Sequence, residues 1–239
     1  MRHVALILIA LAAGTGNSWA QSPEIDSLVA VSRNRELNDA PRLVALDSLA
    51  ARTLRILRAN PSAKTVPLPE NALRTESPDG RIAVVTLNAP LNDGSYAYRG
   101  IAGRPDGAKG MVWVPLTEGQ WPEAIVYRIT SARYRRKTYY MSLWFRPHLN
   151  GVQEKGIEPV IPTRSRLVFG ARVFAVKKFN DETFKKAPER LVLRYGPMAT
   201  AAVRPEKPGV IVIDEVAPIR DAPKGQYRYY GPTAVQNRL

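Results

Sequence analysis

Closely spaced strand-like runs separated by Asp-Gly turns constrain this chain most, and they follow a short proline-rich linker at residues 65–69. Asp-Gly pairs favour tight turns because glycine readily adopts the positive φ that such turns need. Three of them follow one another at 79–80, 93–94 and 106–107. The runs that we predict as strands cover residues 82–87, 95–101, 110–116, 124–131, 138–145, 167–176, 190–195, 210–213 and 226–230.

The pattern within these runs predicts antiparallel pairing. In run 124–131, Ile125, Tyr127 and Ile129 lie on one predicted face, and run 138–145 alternates in the same way. Alternation with a period of two is typical of an antiparallel sheet with one buried and one wetter face. Because no helical stretches separate the strands, a parallel α/β sheet is not expected.

Two runs, 167–176 and 210–213, are apolar on both faces, so we predict that they lie centrally in their sheets. The chain before the linker has a different period. Leu43, Leu46 and Ala50 begin a repeat of three and four residues that indicates one face of a helix. The sequence therefore predicts an α+β fold.

The predicted organisation has three parts: a leader at 1–20, a helical N-terminal segment at 21–60 and a β-rich domain at 61–239. We expect helices at 24–33 and 42–59. The helical segment is expected to pack on a predominantly antiparallel β domain, which is either a β-sandwich or an open, barrel-like sheet.

The first twenty residues have the composition of a cleaved export signal. Arg2 gives a positive start, residues 4–13 form an unbroken apolar run, and small Ser18 and Ala20 stand at the −3 and −1 positions before Gln21. The apolar run is too short to span a bilayer, which takes about 20 residues of helix. We therefore expect cleavage after Ala20, a periplasmic or secreted mature protein, and no transmembrane segment in the mature chain.

Basic charge is the strongest feature of the composition. The formal net charge is +14, and removal of Arg2 with the leader leaves +13. In a cytosolic protein such charge suggests nucleic acid, but an exported protein meets other anions, so we expect no nucleic acid. The candidate partners are an anionic envelope polymer, a lipid head group or a protein. High charge also keeps a protein soluble by repulsion between copies, and charge alone does not separate these explanations.

Several chemistries are excluded by residue types that the chain lacks. It has no cysteine, so thiol nucleophiles, disulfides and zinc–thiolate sites are impossible. His148 is the only histidine after the leader, which excludes multi-histidine metal sites and leaves a serine triad unsupported. We therefore predict no catalytic residue, no metal site and no cofactor.

Paired carboxylates leave one enzymatic alternative open. Glycoside hydrolases use two acids that can lie far apart in a sequence. With the aspartates of the turns set aside, four glutamates stay possible as catalytic acids: Glu182, Glu189, Glu206 and Glu215. No pair among them stands out. A carboxylate-dependent glycan hydrolase is therefore an alternative function, and a structural accessory protein is another.

Two basic segments with aromatic neighbours supply the candidate binding residues. The first is a predicted five-residue hairpin loop at 133–137, and the second flanks Phe179 and Phe184. Basic side chains bind phosphate and sulfate groups, and arginine does so in bidentate fashion. Charged side chains at hairpin tips also protect sheet edges from pairing with other chains, which is the alternative explanation. The predicted anion-binding residues are Arg133, Arg135, Arg136, Lys137, Lys177, Lys178, Lys185 and Lys186.

The order of several short motifs resembles an uncharacterised family of exported, signal-peptide-bearing bacterial proteins. These motifs are S-P-D-G at 77–80, Y-x-I at 127–129, Y-Y at 139–140, R-L-V-L-x-Y at 190–195, V-I-V-I-D-E-V-A-P at 210–218 and Q-Y-x-x-Y-G-P at 226–232. The resemblance implies export but no activity, so it transfers no functional residue. Family members continue beyond Y-G-P into a further strand, and the resemblance implies that this strand is missing here or is supplied differently.

The function most consistent with these observations is that of a non-enzymatic exported envelope protein. It would bind an anionic polymer, lipid head group or protein partner through its basic loops. This expectation depends on the net charge, the two basic segments and the missing catalytic residue types.

Overall fold

The computed structural model describes residues 22–61, 66–107, 110–134, 137–148, 151–180, 182–207, 209–219 and 222–239, without the side chain of Tyr134. Two helices come first, and strands that pair in antiparallel fashion dominate the remainder. This architecture confirms the predicted α+β class with a β-rich domain.

Helix α1 spans Pro23–Arg33 and helix α2 spans Asp39–Ala59. The hydroxyl of Ser22 caps α1 by accepting a hydrogen bond from a backbone N–H of the first turn, and proline at the first helical position favours the start. Arg42 is fully buried and donates to the carbonyl oxygen of Pro90 at 2.7 Å, which ties α2 to the sheet below it. Neither described helix combines the length and apolar character needed to cross a membrane.

The strands form three larger sheets and one small hairpin. The first sheet has the order β1-β2-β3-β4, the central sheet β11-β7-β6-β5 with β8 on β7, and the third sheet β12-β13-β14, while β9 pairs only with β10. The strands are β1 (Ala72–Glu76), β2 (Ala83–Pro90), β3 (Tyr96–Pro105), β4 (Met111–Pro115), β5 (Ile125–Tyr134), β6 (Lys137–Pro147), β7 (Gln153–Pro162), β8 (Leu167–Phe169), β9 (Lys178–Phe179), β10 (Glu182–Thr183), β11 (Leu191–Tyr195), β12 (Val203–Lys207), β13 (Val210–Pro218) and β14 (Tyr230–Arg238).

The helices and the three larger sheets stack as four layers with a hydrophobic core between each pair. Leu46 of α2 packs in the core that includes Val85 of the first sheet. The opposite face of the first sheet contributes Val84 to a core that it shares with Trp144 of the central sheet. The other face of the central sheet packs on the third sheet. The central sheet is therefore covered on both faces.

Strand β6 shows the consequence of this arrangement. Met141 and Leu143 point toward the third sheet, whereas Tyr140 and Trp144 point toward the first sheet, and all four side chains are buried. The predicted division into two faces is confirmed here. The prediction of one wetter face is wrong, because a second layer covers the face that an isolated sheet would expose.

In strand β5 the predicted face pattern is wrong because of a bulge. The pairing with β6 shifts register between Val126 and Arg128. One extra residue reverses the faces beyond it, so Ile129 joins Val126 in the core against the first sheet. Tyr127 instead packs on the core toward the third sheet.

Three other predicted runs have different outcomes. Run 210–213 lies in β13, the middle strand of the third sheet, as predicted. The prediction of a central strand over 167–176 is wrong, because only Leu167–Phe169 is a strand and it pairs with β7 alone. In run 226–230 a 3-10 turn at Tyr227–Tyr229 precedes the true strand β14.

The centre of the central sheet yields a direct test of its packing. A Cβ atom built on Gly156 of β7 would overlap the indole ring of Trp144 on the neighbouring strand. We predict that Gly156→Val lowers the free energy of unfolding by about 3 kcal/mol, because the ring must be displaced from a closely packed core. Urea denaturation measures this change.

The double variant Gly156→Val/Trp144→Leu is the control for this mechanism. Removal of the ring gives the new side chain room, so the two substitutions should cost less together than the sum of their separate costs. Strictly additive costs would contradict the proposed overlap between Gly156 and the indole ring.

Candidate functional site

The hairpin between β5 and β6 holds the first predicted basic segment. Arg133 pairs with Thr138 and Tyr134 with Lys137, so the ladder continues almost to the turn. The predicted five-residue loop is therefore wrong: Arg133 and Lys137 belong to the strands. Both side chains are exposed, and neither forms an ion pair with another described residue. Arg135 and Arg136, predicted as part of this site, lie outside the described residues.

Two further hairpin turns lie at the same end of the layered sheets. The hydroxyl of Tyr140 on β6 donates to Asp79 Oδ2 at 2.7 Å, which places the turn between β1 and β2 beside the β5–β6 hairpin. On the other side, Val160 of β7 pairs with Tyr140 and leads into the turn between β7 and β8. These turns carry Arg81, Arg164 and Arg166, all of them exposed.

We call this surface the basic end and define it by five exposed side chains: Arg81, Arg133, Lys137, Arg164 and Arg166. Among the described residues none of the five forms an ion pair. Asp79 supplies one negative charge nearby. Burial would raise the pKa of Asp79, but hydrogen bonds from Ser77 and Tyr140 outweigh it and lower the pKa, which keeps the carboxylate ionised. Positive charge still predominates.

The second predicted basic segment folds into the β9–β10 hairpin. Lys178 pairs with Thr183, and the N–H of Phe184 donates to the carbonyl oxygen of Lys177 at 2.8 Å. This pairing brings the four predicted lysines of the segment into one compact hairpin, and all four are exposed. They are Lys177, Lys178, Lys185 and Lys186.

The structure does not bring the two basic segments together. Glu182 of the lysine hairpin forms an ion pair with Arg194 at 2.6 Å. Arg194 of β11 pairs with Glu154 of β7, which pairs with Arg146 of β6, so all three lie at the level of the start of β5. Arg133 lies near the other end of β5. Eight residues of strand separate these levels, roughly 25 Å at about 3.3 Å per residue. The lysine hairpin is therefore a separate surface.

Glu154 on β7 is the centre of a charge network that no pattern in the sequence predicts. Its carboxylate lies 2.8 Å from Arg146 Nη2, 2.8 Å from His148 Nε2 and 2.8 Å from Arg194 Nε. Burial would raise the pKa of Glu154, but hydrogen bonds with His148, Arg146 and Arg194 outweigh it and hold the pKa at about 2. The carboxylate therefore stays ionised and joins three strands.

Glu158, four residues further along β7, has the opposite environment. It is fully buried, and Arg190 Nη2 lies 2.7 Å from its Oε1. Burial raises the pKa of Glu158 to about 7, which Arg190 opposes only in part and the charge of Glu189 reinforces. Its Oε2 and the Oγ of the paired residue Ser142 have no hydrogen-bond partner among the described residues.

These buried acids do not form the carboxylate pair of a glycoside hydrolase. Glu154 and Glu158 point to the same face of β7, with Cα atoms about 13 Å apart at about 3.3 Å per residue. Each carboxylate is bound by a different arginine of β11 or its approach, so the two do not share a site. Three of the four acids predicted as candidates are bound to arginines as well: Glu182 to Arg194, Glu189 to Arg172 and Glu206 to Arg238. Within the described parts of the chain, no group of three or more histidine or acidic residues could hold a metal ion.

Comparisons of this chain with protein-family models, with curated proteins and with solved structures found no match. The resemblance to a family of exported proteins therefore stays a prediction.

The low pKa of Glu154 predicts a loss of stability in acid. The Glu154 carboxyl group has a pKa near 4.5 in the unfolded chain and about 2 in the native protein. Its contribution to the free energy of unfolding is therefore complete above pH 4.5 and is lost as the pH falls toward 2. Relative to Glu154→Gln, the wild-type protein should lose up to about 3 kcal/mol of unfolding free energy across this range. Urea denaturation at several pH values measures the difference, and parallel pH profiles would contradict the network.

The raised pKa of Glu158 predicts the reverse dependence. The Glu158 carboxyl group keeps its proton up to about pH 7 in the native protein, but only up to about pH 4.5 in the unfolded chain. The free energy of unfolding therefore falls as the pH rises through that interval. Relative to Glu158→Gln, wild-type protein should lose about 3 kcal/mol between pH 4.5 and 7.5. A difference between the two proteins that does not change with pH would show that Glu158 is ionised in the native protein as it is in water.

Proposed function

We propose that this protein is a non-enzymatic envelope protein that is exported by its leader and binds an anionic polymer through the basic end. The observation that carries this proposal is the meeting of three hairpin turns with five exposed basic side chains that form no ion pair with any described residue. Four of the five are arginines, whose planar guanidinium group binds phosphate, sulfate or carboxylate in bidentate fashion. A polymer can contact several of them at once.

The geometry of the basic end favours a repeating anion over a single small one. Its charges lie on separate turns of two sheets, and no described side chain of the set is buried. Salt largely screens interactions between exposed charges that lie farther apart than a Debye length, which is about 8 Å at physiological ionic strength. Binding therefore depends on the sum of many weak contacts. The alternatives, a glycan hydrolase and a structural accessory protein, have no observation of this kind in their favour.

Salt titration and charge reversal test the proposal. We expect mature protein from Gln21 onward to bind heparin and lipopolysaccharide at low salt and to lose this affinity steeply as sodium chloride rises. The variant Arg133→Glu/Lys137→Glu/Arg166→Glu should bind at least tenfold more weakly. Surface plasmon resonance on immobilised polymer measures both effects.

A variant of the lysine hairpin is the matched control. Lys178→Glu/Lys185→Glu/Lys186→Glu changes the net charge by the same amount at the other surface, so it should retain most of the affinity. Equal losses in the two variants would show that net charge alone drives binding. No binding of the wild-type protein at low salt would remove the proposal, and binding to anionic vesicles but to neither polymer would replace the polymer with a lipid surface.

Export makes a separate prediction about the mature N-terminus. When the full chain is expressed in a Gram-negative host, the protein in the periplasm or medium should begin at Gln21, because Ser18 and Ala20 meet the small-residue requirement of the signal peptidase. Intact-mass measurement identifies this terminus. Ala20→Tyr should leave the leader attached, whereas an uncleaved wild-type protein in the cytoplasm would contradict export.

A further inference from the structure

A cleft of about 480 Å³ opens between the first and central sheets, at the end opposite the basic end. This volume lies within the range of about 300–1,000 Å³ that is typical of small-molecule sites. Its walls come from the start of β3, the segment after β4 and the end of β6. Tyr96, Tyr98, Leu116, Trp121, Glu123 and Arg146 line it.

Three aromatic side chains form the apolar part of the cleft. The rings of Tyr96 and Tyr98 are 6.4 Å apart and tilted by 33°, and Trp121 is buried beside them. Gly100 makes this packing feasible, because a Cβ atom there would stand 2.8 Å from Leu116 Cδ1 and 2.9 Å from Trp121 Cζ2. The aromatic wall is therefore closely packed before any ligand arrives.

Tyr98 supplies an unused hydrogen-bonding group. Its side chain is 8 % exposed, and its hydroxyl is buried without a hydrogen-bond partner among the described residues. Burial raises the pKa of Tyr98, so the hydroxyl stays neutral and can both donate and accept. A buried hydroxyl without a partner is costly, and a polar ligand in the cleft would supply one.

Charged groups of both signs surround the cleft, and two of them are held by hydrogen bonds or ion pairs. Arg146 is held by Glu154 and donates to the carbonyl oxygen of Pro122 at 3.2 Å. Glu123 has a φ of +48°, a conformation that non-glycine residues rarely adopt, and its Oε1 accepts from the N–H of Gly119 at 2.7 Å. Glu118 is exposed on the same wall and forms no ion pair with a described residue.

These features together define the chemistry of the ligand. An acyl chain would leave the hydroxyl and both carboxylates desolvated, and a polyanion would meet the charges of Glu118 and Glu123. A neutral sugar presents C–H groups on its ring face, which pack on aromatic rings, and hydroxyls at its edge, which bind carboxylates and guanidinium groups. A strained, fixed acidic residue is also typical of a functional site.

We propose that this cleft binds an uncharged sugar unit of a glycan, with Tyr98, Glu118 and Arg146 contacting its hydroxyls and Tyr96, backed by the buried Trp121, contacting its ring face. The inference does not depend on the proposed function of the basic end. A protein with both sites would hold a glycan at two distant points, one through its sugar units and one through its anionic substituents.

Calorimetric titration of the mature protein with chitotriose and with maltotriose tests the site. We expect at least one of these uncharged trisaccharides to bind, with Tyr98→Phe and Glu118→Gln each weakening binding at least tenfold, or about 1.4 kcal/mol. Both variants should fold normally, because the Tyr98 hydroxyl has no hydrogen-bond partner in the described part of the chain and Glu118 is exposed. Thermal unfolding checks their stability.

Two matched substitutions outside the cleft are the controls. Tyr229→Phe and Glu36→Gln remove the same groups from exposed positions elsewhere and should leave binding unchanged. Binding should also persist at high salt and in the variant with a reversed basic end, which distinguishes this site from the anion site. The inference is overturned if neither trisaccharide binds, if Tyr98→Phe and Glu118→Gln bind like the wild-type protein, or if trigalacturonate binds more tightly than both neutral sugars.

Discussion

The double coverage of the central sheet is the constraint on which the rest of the structure depends. Each charged side chain that is buried on its middle strands must find a partner inside the protein, because water does not reach the covered faces freely. Glu154 meets this demand with two arginines and a histidine, and Glu158 with Arg190 and a raised pKa. With both of its faces covered, the central sheet can contact ligands only at its ends.

The two ends have different chemistry because different turns and connecting segments lie there. At one end the hairpin turns are short, so their arginines and lysine project from strand termini into solvent. At the other end the sheets part beside Tyr98 and Arg146 and leave a cleft of mixed charge. The proposed anion site and the proposed sugar site therefore follow from one architecture, and neither needs a moving part or a catalytic group.

The sequence predicted the elements whose local pattern matches their environment. Both helices and the β5–β6 hairpin follow from periodicity. The sequence patterns do not indicate strand β7, because Glu154, Gly156, Glu158 and Pro159 have little β-propensity. Arginines on neighbouring elements bind the two glutamates, and the ring of Trp144 fills the space beside Gly156. Three other features depend on tertiary structure and cannot be predicted from a local sequence pattern. They are the bulge in β5, the coverage of the second face of the central sheet and the meeting of three distant turns.

The most direct test of whether ligands bind at the ends of the covered sheet is hydrogen exchange followed by mass spectrometry. It is carried out with and without a saturating anionic polymer. We expect slow exchange in β6 and β7 in both states. The polymer should add protection in peptides from residues 79–81, 133–137 and 163–166 and leave residues 177–186 unchanged. Added protection confined to 177–186, or fast exchange in β7 of the free protein, would contradict a binding role for the end of the covered sheet.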